Sequence, residues 1–102
     1  QVFMIWQMIV TDASKYAGAF IPFAQKMMKK MGVKNSFGLG YPILGKTNDF
    51  THFVWSGAPD VKTALARTKT MYADADFAKY SAAVNDIRSV VNTVLMVRVM
   101  DF

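Results

Sequence analysis

Two residues that could carry chemistry lie close together in the stretch DFTHFVWSG, residues 49 to 57. It holds His52, the only histidine of the chain, and Trp55, one of its two tryptophans. Histidine is the side chain whose unperturbed pKa suits acid–base chemistry near neutral pH. Side chains alternate between the two faces of a strand, so without a bulge these two residues cannot line the same pocket. The spacing predicts one pocket residue and one residue of the opposite face.

A single amide is the other polar group placed within an apolar segment. Gln7 interrupts the run VFMIWQMIV, residues 2 to 10, whose β-branched and aromatic content favours a strand. Both faces of this strand are apolar, which is typical of a central strand covered on both sides. A buried amide needs hydrogen-bond partners. Gln7 therefore bonds either to a neighbouring strand or helix end, or to a substrate carbonyl or dioxygen.

Several tyrosines and arginines are further candidates for ligand contact. Tyr41, Tyr72 and Tyr80 each carry a hydroxyl that suits an apolar pocket with few polar groups. Eight methionines and an aromatic content of 14% fit such a pocket, and equally an ordinary adaptable core. Arg67 and Arg98 pair either with an anionic ligand or with carboxylates at the surface.

The residue types present exclude several classes of chemistry. The chain has no cysteine, and one histidine without clustered carboxylates does not make a metal site. The sequence contains no nucleophile elbow, phosphate loop or dinucleotide fingerprint. We therefore expect no metal ion and no bound cofactor, and we assign no catalytic residue.

Composition also constrains size, partners and compartment. The 102 residues predict one domain, residues 1–102, and a hydrophobic content of 53% predicts burial against a second copy. The net charge of +5 includes lysines at the expected end of a helix, where they complement the helix dipole, so we expect no nucleic-acid partner. No apolar run is long enough for a membrane helix, so we expect a soluble protein without a membrane partner. The first residue, Gln1, weakly indicates a processed or exported N-terminus, and the compartment stays open.

Periodicity and capping signals predict four strands and two helical regions. The strands are expected at residues 2–10, 36–45, 50–55 and 89–102. The helical regions are expected at residues 13–31 and 60–87, with a break at residues 73–75. Asp12 and Asp74 are predicted N-caps, and Gly32 is a predicted C-terminal stop.

Two details of the strands bear on the site. Gly38, Gly40 and Pro42 predict an edge position or a bulge for the second strand, which KTND, residues 46 to 49, joins to the third as a hairpin. Alternation in the last strand places Val91 on the same face as Thr93.

The element order is β-α-β-β-α-β, which is the ferredoxin-like arrangement. It predicts a four-stranded antiparallel sheet with the helices on one face. Because the strands are apolar on both faces, the uncovered face needs another layer. A second copy of the chain can supply that layer, so we expect a homodimer or a higher homo-oligomer.

The segment ADADFAKYSAAVNDIRSVV, residues 73 to 91, carries a resemblance to a known family. The dimeric α+β barrel superfamily has a pattern near the second helix: an Asp-Pro pair, then an aromatic residue, then a tyrosine three residues later. Asp74, Phe77 and Tyr80 resemble this pattern, although Ala75 stands where proline is common. The chain looks most similar to the small antibiotic-biosynthesis-monooxygenase-like and NIPSNAP-like members. The resemblance implies two sheets facing each other across a dimer, with a ligand pocket between each sheet and its own helices.

The resemblance also implies places for the candidate residues. If Trp55 faces the helices, His52 points into the barrel between the subunits. The pocket candidates are Gln7, Trp55, Tyr41, Tyr72, Phe77 and Tyr80. The barrel-interior or interface candidates are His52, Trp6 and Arg98. In haem-degrading members the second helix supplies a histidine, and residues 60–87 contain none, so haem binding or degradation is only a lesser alternative.

The leading hypothesis is a dimeric α+β barrel that binds a hydrophobic, aromatic, polyketide-like small molecule. Cofactor-independent monooxygenation is the reaction associated with it, and whether the chain is catalytic stays open. The alternative is a non-catalytic binding or self-assembly module. The lack of a clear general base on the pocket side favours that alternative.

Overall fold

A computed structural model describes residues 1–34, 36–42 and 49–98 of the chain. Its four strands are β1 (Val2–Val10), β2 (Phe37–Gly40), β3 (His52–Ala58) and β4 (Arg88–Val97). Its three helices are α1 (Ala13–Met31), α2 (Val61–Tyr72) and α3 (Ala75–Val84). The second helical region is therefore divided where the sequence predicted a break. Residues 43–48 and 99–102 are not described. They include most of the predicted KTND turn, the last residues of the predicted second strand and the last residues of the predicted fourth strand.

The strands form one antiparallel sheet in the order β2-β3-β1-β4. β1 is central, between β3 and β4, and β2 is an edge strand, as predicted. All three helices cover the same face of the sheet. The ferredoxin-like β-α-β-β-α-β prediction is confirmed.

Local signals begin and end α1 at the predicted residues, whereas α3 ends at Val84, three residues before the predicted end at residue 87. The Asp12 carboxylate accepts a hydrogen bond from the Lys15 amide at 3.0 Å, which satisfies a free donor of the first turn of α1. Gly32 ends α1 in the left-handed conformation, with φ of 67°, where a side chain would be strained. Asp60 and Asp74 cap α2 and α3 in the same way as Asp12.

The core lies between the sheet and the helices. β1 contributes its even-numbered side chains, which are all buried: Val2, Met4, Trp6, Met8 and Val10. α1 contributes residues at helical spacing, namely Tyr16, Phe20, Phe23, Ala24 and Met27. Tyr80 and Val84 of α3 complete the contact. We call this side of the sheet the helix face.

None of the three described helices lies on the opposite side of the sheet, which we call the open face. The odd-numbered residues of β1 lie there, and the strand register adds residues of β3 and β4. Its members are Phe3, Ile5, Gln7, Ile9, Phe53, Trp55, Ser89, Asn92, Val94 and Met96. Apart from Gln7, Ser89 and Asn92, these side chains are apolar.

The glycines of β2 make room for the aromatic residues of the open face. Gly38 pairs with Trp55, and Gly40 pairs with Phe53. A Cβ at Gly38 would lie 2.0 Å from the Trp55 Nε1, and a Cβ at Gly40 would lie 2.7 Å from the Phe53 Cζ. The rings therefore lie across the glycine backbone, and β2 requires glycine at these two positions.

A bulge in β4 changes which of its residues reach the helix face. Gln7 pairs with Asn92, but the next residue, Met8, pairs with Val90. Val91 is the extra residue and has no partner in the β1 register. The prediction that Val91 shares a face with Thr93 by regular alternation is therefore wrong. The bulge brings Val90 and Arg88 to the same face as Thr93.

Within the part of the chain that the structure describes, no helix has both the length and the hydropathy to span a bilayer.

Candidate ligand-binding cavity

A cavity of about 340 Å³ lies between the helix face of the sheet and the three helices. Every helix and every strand contributes to its wall, which is mainly apolar and aromatic. Such a volume, with few polar groups in the lining, is typical of sites for small organic molecules.

The ring of Tyr80 is the centre of an aromatic cluster on one side of this cavity. Phe23 stacks on it with a centroid distance of 4.4 Å, and Phe20, Tyr16 and Phe77 lie 6.1 to 6.2 Å away. The three α1 residues are spaced by four and three positions, which places them on one side of the helix. Phe77 and Tyr80 are three positions apart on α3 and also share a side.

Two phenol groups meet in the cavity wall. The hydroxyls of Tyr16 and Tyr80 share a short hydrogen bond, and the Tyr16 hydroxyl also donates to the Met8 Sδ at 3.4 Å. The thioether is a weak acceptor, so the hydrogen bond that the Tyr16 hydroxyl donates to it is weak.

Burial keeps both of these phenols protonated. It raises the pKa of Tyr16 well above its ordinary value of 10.0, and the neighbouring Tyr80 raises it further. Burial also raises the pKa of Tyr80, against the smaller opposing effects of the Tyr16 hydrogen bond and the Arg88 charge. At neutral pH the pair therefore acts as a hydrogen-bond donor rather than as a base.

A second polar contact lies between β1 and the end of α2. The Trp6 indole Nε1 donates to the Tyr72 hydroxyl at 2.8 Å. Trp6 is buried, whereas Tyr72 is 48% exposed, so the bond joins the cavity wall to solvent-accessible surface. The Tyr72 ring also contacts Phe77, with a centroid distance of 5.1 Å.

Arg88 is the only charged residue among the described residues of the lining. It is the first residue of β4, and its guanidinium carbon lies 5.5 Å from the centre of the Tyr80 ring. One terminal nitrogen donates to the Ser81 Oγ at the long distance of 3.5 Å. The Nε is buried and has no hydrogen-bond partner in the part of the chain that is described.

Three of the predicted pocket residues line this cavity: Tyr72, Phe77 and Tyr80. Two others do not, and their predicted placement is wrong. Trp55 pairs with Ile5 and lies on the open face, where its ring contacts Phe3 at 6.2 Å. Gln7 is on the same face, and its Oε1 accepts a hydrogen bond from the Asn92 Nδ2 at 3.3 Å.

The corresponding placement of Trp6 and His52 on the barrel side is also wrong. Trp6 lines the cavity. His52 pairs with Met8, so it lies on the helix side of β3, and its Nδ1 is 2.9 Å from the Thr51 Oγ1. The physical reason is common to all four residues. Alternation determines which residues share a face of a strand, but not which face the helices cover.

The two remaining candidates lie outside the cavity. Tyr41 is 66% exposed, and its ring lies 6.2 Å from that of His52. Arg98 follows the end of β4, and its amide donates to the Gln1 carbonyl at 3.0 Å.

Sequence reasoning also missed two polar residues of the lining. The helical spacing of the apolar residues of α1 is consistent with Tyr16 as a core residue, but it does not indicate that its hydroxyl faces another tyrosine. Arg88 escaped notice because it is brought to the cavity by the bulge at Val91, which regular alternation does not predict.

No protein-family model matches this chain, and neither does any curated protein. Solved structures are similar over nearly its whole length. HapK from Hahella chejuensis has a TM-score of 0.61 and 14% identity, covering 100% of this chain and 96% of its own. An antibiotic biosynthesis monooxygenase has a TM-score of 0.55 and 18% identity, covering 98% and 100%. A dimeric ferredoxin-like protein of unknown function from Thermobifida fusca has a TM-score of 0.55 and 10% identity, covering 93% and 86%.

These similarities confirm the ferredoxin-like fold, which this chain shares with an antibiotic biosynthesis monooxygenase. At such identities a shared fold does not carry a shared reaction or substrate.

Proposed function

We propose that this chain binds a hydrophobic aromatic small molecule in the cavity between its sheet and its helices. The observation that carries the proposal is the cavity itself, about 340 Å³ in volume and walled by aromatic side chains. Aromatic walls bind planar rings through offset and edge-to-face contacts. The Tyr80 phenol and the Tyr72 hydroxyl provide the few polar contacts that orient such a ligand, and the buried Tyr16 holds the Tyr80 hydroxyl in place.

The reaction we associate with this site is oxygenation without a bound cofactor, supported by the fold shared with an antibiotic biosynthesis monooxygenase. The substrate would be a phenolic aromatic with an activated ring methylene, which supplies the electrons itself. One dioxygen oxidises the methylene to a carbonyl: one oxygen atom enters the product, and the other leaves as water with the two methylene hydrogens. The protein's part is to exclude water and to donate hydrogen bonds to the substrate oxygen as charge develops there.

The absence of a base is the observation that favours a second candidate, a non-catalytic binding module. The described lining contains no carboxylate and no histidine, and burial raises the pKa of the Tyr16 and Tyr80 phenols. Proton removal would then depend on the acidity of the substrate. A ligand that binds without reacting would fit the same cavity.

A titration with 1,8-dihydroxyanthrone separates these candidates. We expect binding by calorimetry under nitrogen and, in air, oxygen uptake with formation of the anthraquinone above the rate without protein. Binding without additional oxygen uptake would select the binding module. No binding at all would overturn the proposal.

A matched pair of variants tests the position of the site. Trp6→Phe removes part of the aromatic wall and the bond that orients Tyr72, so it should weaken binding about two- to tenfold, as the loss of one aromatic contact would. Trp55→Phe makes the same change on the open face and should leave the affinity unchanged. If Trp55→Phe has the larger effect, the ligand binds on the other side of the sheet.

We also infer that the open face packs against a second copy of the chain. It is an apolar sheet surface without a covering layer, and Met96 and Ile9 are 51% and 40% exposed on it. A sheet face of this kind requires a second layer, and a structurally similar protein is described as dimeric.

Sedimentation tests this dimer. We expect a dimer for the wild-type chain, and monomers for Ile9→Glu and Met96→Glu, because a buried unpaired carboxylate is costly. Leu65→Glu is the control, since Leu65 is similarly exposed, at 54%, on α2. A monomeric wild-type chain, or dimers of both open-face variants, would contradict the assignment.

A further inference from the structure

We propose that Arg88 binds a carboxylate of the ligand, so that the cavity takes an aromatic acid rather than a neutral aromatic. This inference rests on the proposed binding function and specifies the chemical class of the ligand.

The first support is that Arg88 has no charged partner within the described structure. The ion pairs found there join Lys15 to Asp86 and Lys30 to Asp74 and Asp76. The guanidinium instead lies against the Tyr80 ring and interacts with hydroxyl groups, those of Ser81 and Tyr80. Arg88 is half-buried, and an arginine in such a place is commonly paired with a carboxylate or phosphate.

The second support is the buried Nε of Arg88, which has no hydrogen-bond partner among the described residues. A buried donor left without an acceptor is destabilising. The guanidinium presents its donors as a planar fork that matches the two oxygens of a carboxylate. The Nε is covered by protein atoms, so a ligand carboxylate would satisfy it together with a terminal nitrogen once the guanidinium turns toward the cavity.

The third support is the position of Arg88 relative to the rest of the cavity. Arg88 pairs with Val10, and Thr93 pairs with Trp6. The Arg88 end and the Thr93 end of the cavity are therefore four β1 residues apart, which is about 13 Å along a strand. The aromatic cluster around Tyr80 lies beside the guanidinium. A ligand with its acid group at one edge can therefore reach Arg88 while its rings contact Phe23, Phe77 and Trp6.

A pair of isosteric probes tests this inference. 2-Naphthoate is an anion at neutral pH, and methyl 2-naphthoate presents nearly the same shape without the charge. Calorimetry on the wild-type chain should give at least tenfold tighter binding of the acid than of the ester. Arg88→Met should abolish this preference by weakening the binding of the acid, and Arg88→Lys should retain part of the preference.

The outcomes distinguish the inference from the function on which it rests. If the wild-type chain binds both probes equally, or if Arg88→Met keeps the preference, the role of Arg88 is overturned while binding in the cavity stands. If neither probe binds, both the inference and the binding proposal fail for this class of ligand. Arg67→Met is the control for loss of a positive charge outside the cavity, and it should keep the full preference.

Discussion

The hydroxyls of Tyr16 and Tyr80 satisfy each other inside the cavity wall, where water would otherwise be their partner. Tyr16 is fully buried, and its hydroxyl contacts only the Tyr80 hydroxyl and the Met8 sulfur among the described residues. Because burial raises the pKa of both phenols, the folded chain holds their protons more tightly than the unfolded chain does. Their contribution to stability is therefore constant below the ordinary phenol pKa and decreases as the pH rises above it.

The replacement Tyr16→Phe tests this coupling. At neutral pH it should reduce the free energy of unfolding by about 1 kcal/mol, because Tyr80 loses its partner. Above pH 10 the wild-type chain should lose stability steeply, and the variant should lose less, since one raised pKa is gone. Urea unfolding between pH 7 and pH 11.5 measures both effects. The exposed Tyr41→Phe is the control, and equal slopes for Tyr16→Phe and wild type would contradict the explanation.

At the scale of the elements, β2 depends on contact between glycine backbone and the aromatic rings of β3. Gly38→Ala places a Cβ inside the contact distance of the Trp55 indole, which the rest of the open face holds in place. We expect this replacement to lower the free energy of unfolding by about 1–3 kcal/mol, the usual cost of overpacking.

Gly18→Ala is the matched control for that replacement. Gly18 lies at an exposed position of α1, and a Cβ added there would have no other atom within 4 Å. The same chemical change should therefore stabilise the chain by about 0.5–1 kcal/mol, through helix propensity. Urea unfolding of both variants gives the comparison, and a neutral Gly38→Ala would show that Trp55 moves freely.

The contact between α1 and α3 includes an exposed ion-pair cluster at the start of α3. The Lys30 Nζ lies 3.0 Å from the Asp74 carboxylate and 2.7 Å from that of Asp76, which holds the pKa of both carboxyl groups below the ordinary value of 3.8. Asp74 also caps α3 by accepting from the Asp76 amide at 2.8 Å. A lowered pKa stabilises the folded chain above the ordinary value, and this contribution is lost as the pH falls below it.

Salt separates the two roles of Asp74. Lys30→Met should lower the melting temperature slightly in low salt and not at all in 0.5 M NaCl, because salt screens exposed ion pairs. Asp74→Ala should lower it more, and a deficit should persist in high salt, since the cap is a hydrogen bond to the backbone. If high salt abolishes the effect of Asp74→Ala as well, the cap contributes nothing.

At the scale of the whole molecule, an apolar open face makes stability depend on protein concentration. If two copies bury this face together, association stabilises the folded state by mass action. The melting temperature of the wild-type chain should therefore rise between 1 and 100 μM, and that of Met96→Glu should not. Calorimetric scans at these concentrations measure the difference, and identical behaviour of the two chains would argue against the dimer.

The order of elements and the capping residues were predictable because they depend on local chemistry. Asp12, Asp74 and Gly32 act within one turn of a helix, so their types suffice to place helix ends. The apolar run of β1 predicted its central position correctly, although only one of its faces is covered by helices of the same chain. The ferredoxin-like fold followed from the order of strands and helices.

The sequence by itself determined the elements, their order and the partition of β1 into two sets of residues, because each depends on local propensity or on the period of a strand. Only the tertiary structure decided which set faces the helices, and with it the places of Gln7, Trp55, Trp6 and His52. It also decided the bulge at Val91, which turns Arg88 toward the cavity. The physical reason is that a strand is symmetric in its alternation, and only packing against helices far along the chain distinguishes its two faces.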